Sequence, residues 1–197
     1  PPYGPFAATA NPSPAGLKAL ADIPCGPDGL WVVETTPADA PEGMWREVSA
    51  ECFQMVAKTI TPGPAPEGVR ELGPDDYADM LDLARMTRPG PFAERTGALG
   101  RFVGLRFEGQ LVAMAGERMR LDGFTEVSGV CTHPDHRGRG YAAGLMRLIA
   151  AGILTRGETP FLHSYASNAV ANALYENMGF AVRRSLYAVV MRRSDSR

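Results

Sequence analysis

Apolar positions recur along this chain with two different periods, and the order in which those periods alternate sets the expected architecture. Val103, Leu105 and Phe107 alternate with other positions at the spacing of a half-buried strand; Glu108-Gly109 turns, and Gln110 to Arg120 returns as the hairpin partner. Asp122-Gly123 makes a second turn into a strand from Phe124 to Thr132. Helical spacing then takes over. Tyr141, Leu145, Leu148, Ile149 and Ile153 share one stripe of a helix expected over 138–156 and stopped by Gly157. Ala171, Leu174, Tyr175 and Met178 share the stripe of a helix over 168–178, stopped by Gly179. A strand over 160–166 separates the two helices, and two more strands are expected near 180–193. Upstream, a short strand over 68–72 precedes a helix opened by Pro74-Asp75-Asp76, with Tyr77, Met80, Leu81 and Ala84 on one face. This order predicts an α/β fold with a mixed, partly antiparallel sheet.

The first third is less regular. Residues 1–29 are rich in proline, glycine and alanine, with a short helix expected over 14–23. Leu30 to Thr35 reads as a strand. Glu47 to Thr59 fits either period; the strand reading, paired with the first strand, is the one adopted. Thr61-Pro62-Gly63-Pro64-Ala65-Pro66 cannot join a sheet and reads as a stiff linker. The expected division is therefore an N-terminal extension, 1–66, and a domain over 67–197. The extension is expected to lengthen the sheet, cover a substrate cleft or make a dimer contact. Residues 87–99 form a loop with one helical turn near Phe92.

Composition narrows the function classes. At 197 residues and 45% hydrophobic, the chain can bury a sizeable core. Its 20 basic and 22 acidic residues leave a formal charge of −2, which argues against a general nucleic-acid binder. No apolar run reaches the length of a membrane span, so a cytoplasmic protein with no membrane partner is expected. Cys25, Cys52 and Cys131 lack metal-like spacing, and no metal is expected.

The densest chemistry lies between Val130 and Met146. A strand ends at Thr132, and His133-Pro134-Asp135-His136 leads into Arg137-Gly138-Arg139-Gly140-Tyr141-Ala142 at the start of a helix. Free N–H groups at such an entry form an anion site, and the two arginines add positive charge. Further on, Ser167-Asn168 precedes Ala173-Leu174-Tyr175-Glu176-Asn177-Met178-Gly179-Phe180. The first segment resembles the Arg/Gln-x-x-Gly-x-Gly/Ala signature of the GCN5-related N-acetyltransferases (GNAT family). The second resembles that family's Asn…Leu-Tyr…Gly-Phe segment. The wording around Thr132 to Ala142 is closest to the FR47-like subgroup, and the resemblance spans roughly residues 68 to 193.

That resemblance implies an acyl-CoA N-acyltransferase fold and transfer of the acetyl group of acetyl-CoA directly to a primary amine. The acceptor would be a small molecule or a peptide, and the protein a monomer or homodimer. Backbone groups of Val130, Cys131 and Thr132 would pair with the pantetheine arm. The loop from Arg137 to Ala143, with Gly138, Arg139, Gly140, Tyr141 and Ala142 between, would take the pyrophosphate. Asn168 would bind the pantetheine side, and Tyr175 would act as general acid. Tyr175 also lies on an apolar stripe, where a tyrosine commonly packs as core. Glu126 is the expected general base, directly or through water, its alternative being an ordinary strand-edge carboxylate paired with an arginine; His133 is the second candidate base. His136 reads as a loop residue and His163 as an ordinary residue of its strand, so His163→Ala is expected to leave the pH–rate profile unaltered.

Other readings remain open at this point. Gly138-x-Gly140-x-x-Ala143 also fits a dinucleotide fingerprint, but five residues separate Thr132 from Gly138, and Glu158 precedes the next strand rather than ending it. A non-catalytic acyl-CoA-binding sensor or partner-binding module is the alternative function, and transfer of a longer acyl group a third.

Overall fold

The computed structural model describes residues 2–11 and 13–194. Pro1 and Pro12 of the expected extension and residues 195–197 of the expected domain lie outside the described residues. An extended arm, residues 2–11, leads to helix α1 (Pro14–Asp22), capped by the Ser13 hydroxyl, which accepts from the Gly16 N–H at 3.2 Å. Strands β1 (Leu30–Glu34), β2 (Met44–Val56) and β3 (Arg70–Leu72) follow, then helix α2 (Tyr77–Thr87). The meander β4 (Phe102–Phe107), β5 (Gln110–Leu121) and β6 (Phe124–Thr132) comes next. Helix α3 (Tyr141–Thr155), β7 (Thr159–Tyr165), α4 (Ala169–Asn177) and β8 (Ala181–Arg193) complete the described chain. The mixed α/β class expected from the pattern is the one observed.

Among the described residues all eight strands join one sheet, in the order β1-β8-β2-β7-β6-β5-β4-β3. Every pairing is antiparallel except that of β6 with β7. Four details differ from the sequence expectation. First, β2 does not pair with β1; it lies between β8 and β7. Second, one thirteen-residue strand, β8, replaces the two expected near 180–193. Its polar Arg183-Arg184-Ser185 is exposed, with Arg184 and Ser185 still paired with β2 and Arg183 at a register shift. Third, α3 begins at Tyr141 because Gly138 and Gly140 adopt left-handed φ values of 76° and 74°. Fourth, the single turn in the 87–99 loop is a 3-10 turn at Thr96–Leu99, not near Phe92.

The proline-rich stretch 61–66 joins two parts of this one sheet. Arg147 of α3 donates from Nε to the Thr61 carbonyl at 3.2 Å, which holds the stretch against the helix.

Three apolar groups distribute the helices over the two faces. Leu145, Met146, Ile149 and Ile153 of α3 pack with Met55, Val127, Leu162 and Phe180, and Leu174 and Tyr175 of α4 pack against the same group. Leu20 of α1 packs with Leu30, Val32, Val189 and Met191. The alternating register along β1, β8 and β2 puts these residues on one face. Met80 and Leu83 of α2 pack with Phe102, Met114 and Cys131 on the other. Alternation therefore directs Trp31, Val33, Ala188, Cys52 and Tyr165 away from α1, α3 and α4, and they cluster together on the α2 face.

Candidate active site

The β6–β7 ladder is short. It pairs Phe124 with Thr159, Thr125 with Pro160 and Glu126 with Phe161, and then ends. Beyond that point β6 stays with β5 while β7 stays with β2, so the facing edges part. The opening holds a cleft of about 1500 Å³. Single-ligand pockets run to roughly 1,000 Å³, so this one has room for two reactants. All the expected site residues line it: Glu126, Val130, Cys131, Thr132, Arg137, Gly138, Arg139, Gly140, Tyr141, Ala142, Ala143, Asn168 and Tyr175.

One wall carries a bulge that the sequence reading missed. Met114 pairs with Cys131 and Gly116 with Ser128, so Gly129 and Val130 together face Ala115 alone. Gly129 sits at φ 63°, and a Cβ there would stand 2.9 Å from Phe102 Cε1. A bulge takes its extra residue out of the ladder, and both residues line the cleft, which leaves backbone amides for a ligand. A glycine inside an apolar strand was the available signal.

The floor of the cleft is the loop entering α3. After the 3-10 turn Pro134–His136, nothing lies within 4 Å of where a Cβ on Gly138 or Gly140 would stand. No side chain caps α3, so its first N–H groups are left for an external acceptor. Arg137 is exposed and reaches back from Nε to the Thr132 carbonyl at 3.4 Å. The Thr132 hydroxyl is buried and, among the described residues, has no hydrogen-bond partner. An open helix N-terminus beside arginines and an orphaned hydroxyl at the strand end fit a ligand carrying a polyphosphate and an amide-bearing arm. Burial pushes the Cys131 thiol up to about 11, which keeps it protonated and inert.

The opposite wall is α4. Asn168 caps it, Oδ1 accepting from Ala171 N–H at 3.3 Å, which leaves its amide nitrogen for a ligand. Asn172, not singled out from sequence, is buried and donates from Nδ2 to the carbonyls of Tyr165 (3.2 Å) and Ala166 (3.3 Å). It ties the first turn of α4 to the end of β7. Tyr175 is half-buried, its ring 6.5 Å from that of Phe180. Burial raises its phenol pKa above the ordinary value, so it carries its proton at neutral pH.

At the apex of the opening lies an ion-pair cluster. Arg118 donates to both oxygens of Glu126, Nε to Oε2 at 2.8 Å and Nη2 to Oε1 at 3.0 Å. His163 Nδ1 stands 2.9 Å from Oε1, and its Nε2 stands 3.3 Å from Gln54 Nε2. Arg183 donates to Gln54 Oε1 at 2.6 Å, so the amide nitrogen of Gln54 is the atom turned toward His163. Nε2 of His163 therefore accepts, and Nδ1 carries the proton donated to Glu126. Glu126 is 1% exposed. Burial opposes its ionisation, but the hydrogen bonds from His163 and Arg118 and the Arg118 charge outweigh it and hold its pKa at about 2. A carboxylate so stabilised is a weak proton acceptor.

The other histidines differ from this one. His133 caps the 3-10 turn, its Nδ1 accepting from Asp135 N–H at 3.3 Å, and it lines a small depression beside Asp79 and Asp82 outside the cleft. His136 lines the cleft, 5.1 Å ring-to-ring from Phe107. Among the described residues no group of His, Cys, Asp and Glu is arranged to hold a metal ion, and no helix is long and apolar enough to cross a membrane.

Two strands that part beyond a short parallel ladder, a bulge on one and an uncapped glycine-led helix below, are consistent with the acyl-CoA N-acyltransferase fold that the sequence resemblance implies. Comparisons with known proteins agree. Residues 102–189 match the family described as FR47-like protein. A GNAT-family acetyltransferase structure from Novosphingobium aromaticivorans is 46% identical, over 98% of this chain and 86% of that one, with a TM-score of 0.89. The chain thus belongs to the GCN5-related N-acetyltransferase family. Two more distant structures share the fold. A GCN5-related N-acetyltransferase from Kribbella flavida is 19% identical over 90% of this chain and 76% of that one, TM-score 0.58. The ribosomal-protein-S18-alanine N-acetyltransferase of Escherichia coli is 24% identical over 62% of this chain and 90% of that one, TM-score 0.53. No curated protein sequence matches the chain.

Proposed function

We propose that this acyltransferase moves the acetyl group of acetyl-CoA directly to the nitrogen of a primary amine. The observation that carries the reading is the parting of β6 and β7 beyond Glu126, which brings the anion cradle, Tyr175 and the His163–Glu126 pair to one cleft. Acetyl-CoA supplies an activated thioester carbonyl. The amides entering α3 and the side chains of Arg137 and Arg139 take its pyrophosphate; the β6 edge from Val130 to Thr132 and the amide of Asn168 hold its arm.

His163 is the proton acceptor in this reading, and Glu126 orients it. Nε2 holds a neutral amide donor, Gln54, at a long 3.3 Å. A substrate ammonium is a charge-assisted donor, roughly twice as strong, and displaces it. His163 takes the first ammonium proton, and the freed amine forms the C–N bond. A bulge amide stabilises the oxyanion. The C–S bond breaks as Tyr175 protonates the departing sulfur, and the nitrogen's second proton restores the phenol. The proton on His163 passes to solvent, so each turnover releases one proton. A sensor that only bound acyl-CoA would have no use for a protonated phenol and an oriented imidazole lining one cleft.

A thermal-shift titration tests this, with NAD run beside acetyl-CoA. At a hundredfold excess over its dissociation constant a single-site ligand adds about 2.7 kcal/mol, which for this size raises Tm by about 5–10 °C. A rise with acetyl-CoA and none with NAD is expected. No rise with acetyl-CoA overturns the reading.

A further inference from the structure

The N-terminal arm closes the acceptor side of the cleft. Arg95 N–H donates to the Pro2 carbonyl at 2.8 Å, and the Thr96 hydroxyl to that of Tyr3 at 2.9 Å. A few residues later Trp31 N–H donates to the Pro5 carbonyl at 2.8 Å, and Ala7 N–H to that of Trp31 at 2.9 Å. Tyr3 and Pro5 are two residues apart, a reach of ~7 Å. In the sheet, β8, β2, β7, β6 and β5 stand between Trp31 on β1 and the loop that holds Thr96. The arm, tied to the 87–99 loop at one end and to β1 at the other, thus joins the two sides of the cleft into a ring.

The wall inside that ring is apolar. Phe6 on the arm, Trp31 and Val33 on β1, Cys52 on β2, Tyr165 on β7 and Phe92 of the loop all line the cleft. The Phe6 ring lies 6.2 Å from Trp31 and 4.6 Å from the Arg118 guanidinium carbon, so it covers the apex cluster. Carboxylates here are largely spent: Glu126 is held by Arg118, and Glu47 is paired with Arg192 at 2.6 Å, while Asp28 stands exposed at the rim. Such a wall offers little to a polycation. The arm tied across this side favours a compact body over a chain running through the cleft.

We propose that the acceptor is a small primary amine with an aromatic or bulky aliphatic body, seated between Trp31, Val33 and Tyr165 with its nitrogen toward His163 Nε2. The inference rests on the acyltransfer reading of the cleft and names the substrate class for it.

The test is a steady-state panel at saturating acetyl-CoA, following thiol release, with 2-phenylethylamine, tryptamine, putrescine and an alanine-headed hexapeptide. The aryl amines are expected to exceed putrescine and the peptide by at least ~100-fold in kcat/KM, at the upper end of what an apolar pocket discriminates. Trp31→Ala is expected to cost 2-phenylethylamine at least ~10-fold, mainly in KM, with the acetyl-CoA KM unchanged. Val33→Phe, which fills the pocket without opening a cavity, should raise KM for tryptamine more than for ethylamine. Comparable rates with putrescine or the peptide overturn the inference. So does higher turnover with octanoyl-CoA and a short amine, which would assign the apolar wall to the acyl chain. Absence of an acetyl-CoA melting shift marks the different failure, that of the acyltransfer reading itself.

Discussion

Glu126→Gln preserves the shape of the side chain at the apex and removes its charge, and so separates electrostatics from packing. The native carboxyl has its pKa lowered from 4.5 to about 2. At about 1.4 kcal/mol per pH unit, that is about 3 kcal/mol of folded-state preference for the ionised form. Because the folded value lies below the unfolded one, this stability is fully present above pH 4.5 and is lost as pH falls toward about 2. The substitution also leaves the Arg118 guanidinium, 9% exposed, without its counter-charge. Breaking such a buried pair costs about 3–5 kcal/mol. The expected result at pH 7 is a variant less stable by about 3 kcal/mol, with a Tm lower by about 6–12 °C. Urea unfolding followed by tryptophan fluorescence, run from pH 7 down to pH 3, measures it. The gap between the two proteins should narrow steadily below pH 4.5. Equal stability at pH 7, or a gap that does not change with pH, would refute the electrostatic account of the apex.

Two further substitutions address the chemistry. His163→Gln should lower kcat by about 10²–10⁴-fold while the acetyl-CoA melting shift persists; retained turnover moves the base elsewhere. Tyr175→Phe should lower turnover at least ~10-fold with little change in acetyl-CoA affinity, and unchanged turnover removes its role as acid.

The local chemistry of the site was legible because it is written in contiguous residues. The run from Val130 to Ala143 and the segment from Asn168 to Phe180 each fold as strand–loop–helix or helix–turn units, and the structure brings all of their expected residues to one cleft. The apex was not legible. Glu126 looks like any strand carboxylate until His163, from the next parallel strand, and Arg118, from the preceding hairpin arm, are placed beside it. Alternation marks which face of a strand is buried but not which strand lies next to it. For the same reason β2 was legible as a strand while its neighbours were not. The reading of His163 as an ordinary strand residue took no account of Glu126, a partner that no local pattern names. Pro62 to Pro66 reads as a boundary because prolines cannot enter a ladder; in the structure the chain leaves the sheet after Val56 and re-enters it at Arg70.

The position of β2 also bears on how the molecule can be made. Met44 meets Arg193 and Val56 meets Ala181, so β2 finds its partner in a strand far along the chain. Such distant pairings carry a large loop-closure cost and slow the final assembly. Until β8 leaves the ribosome, β2 has one neighbour at most, and its exposed edge is open to wrong partners. The ring that the arm later closes is thus a late product of folding, completed after the cofactor half of the cleft has the means to form.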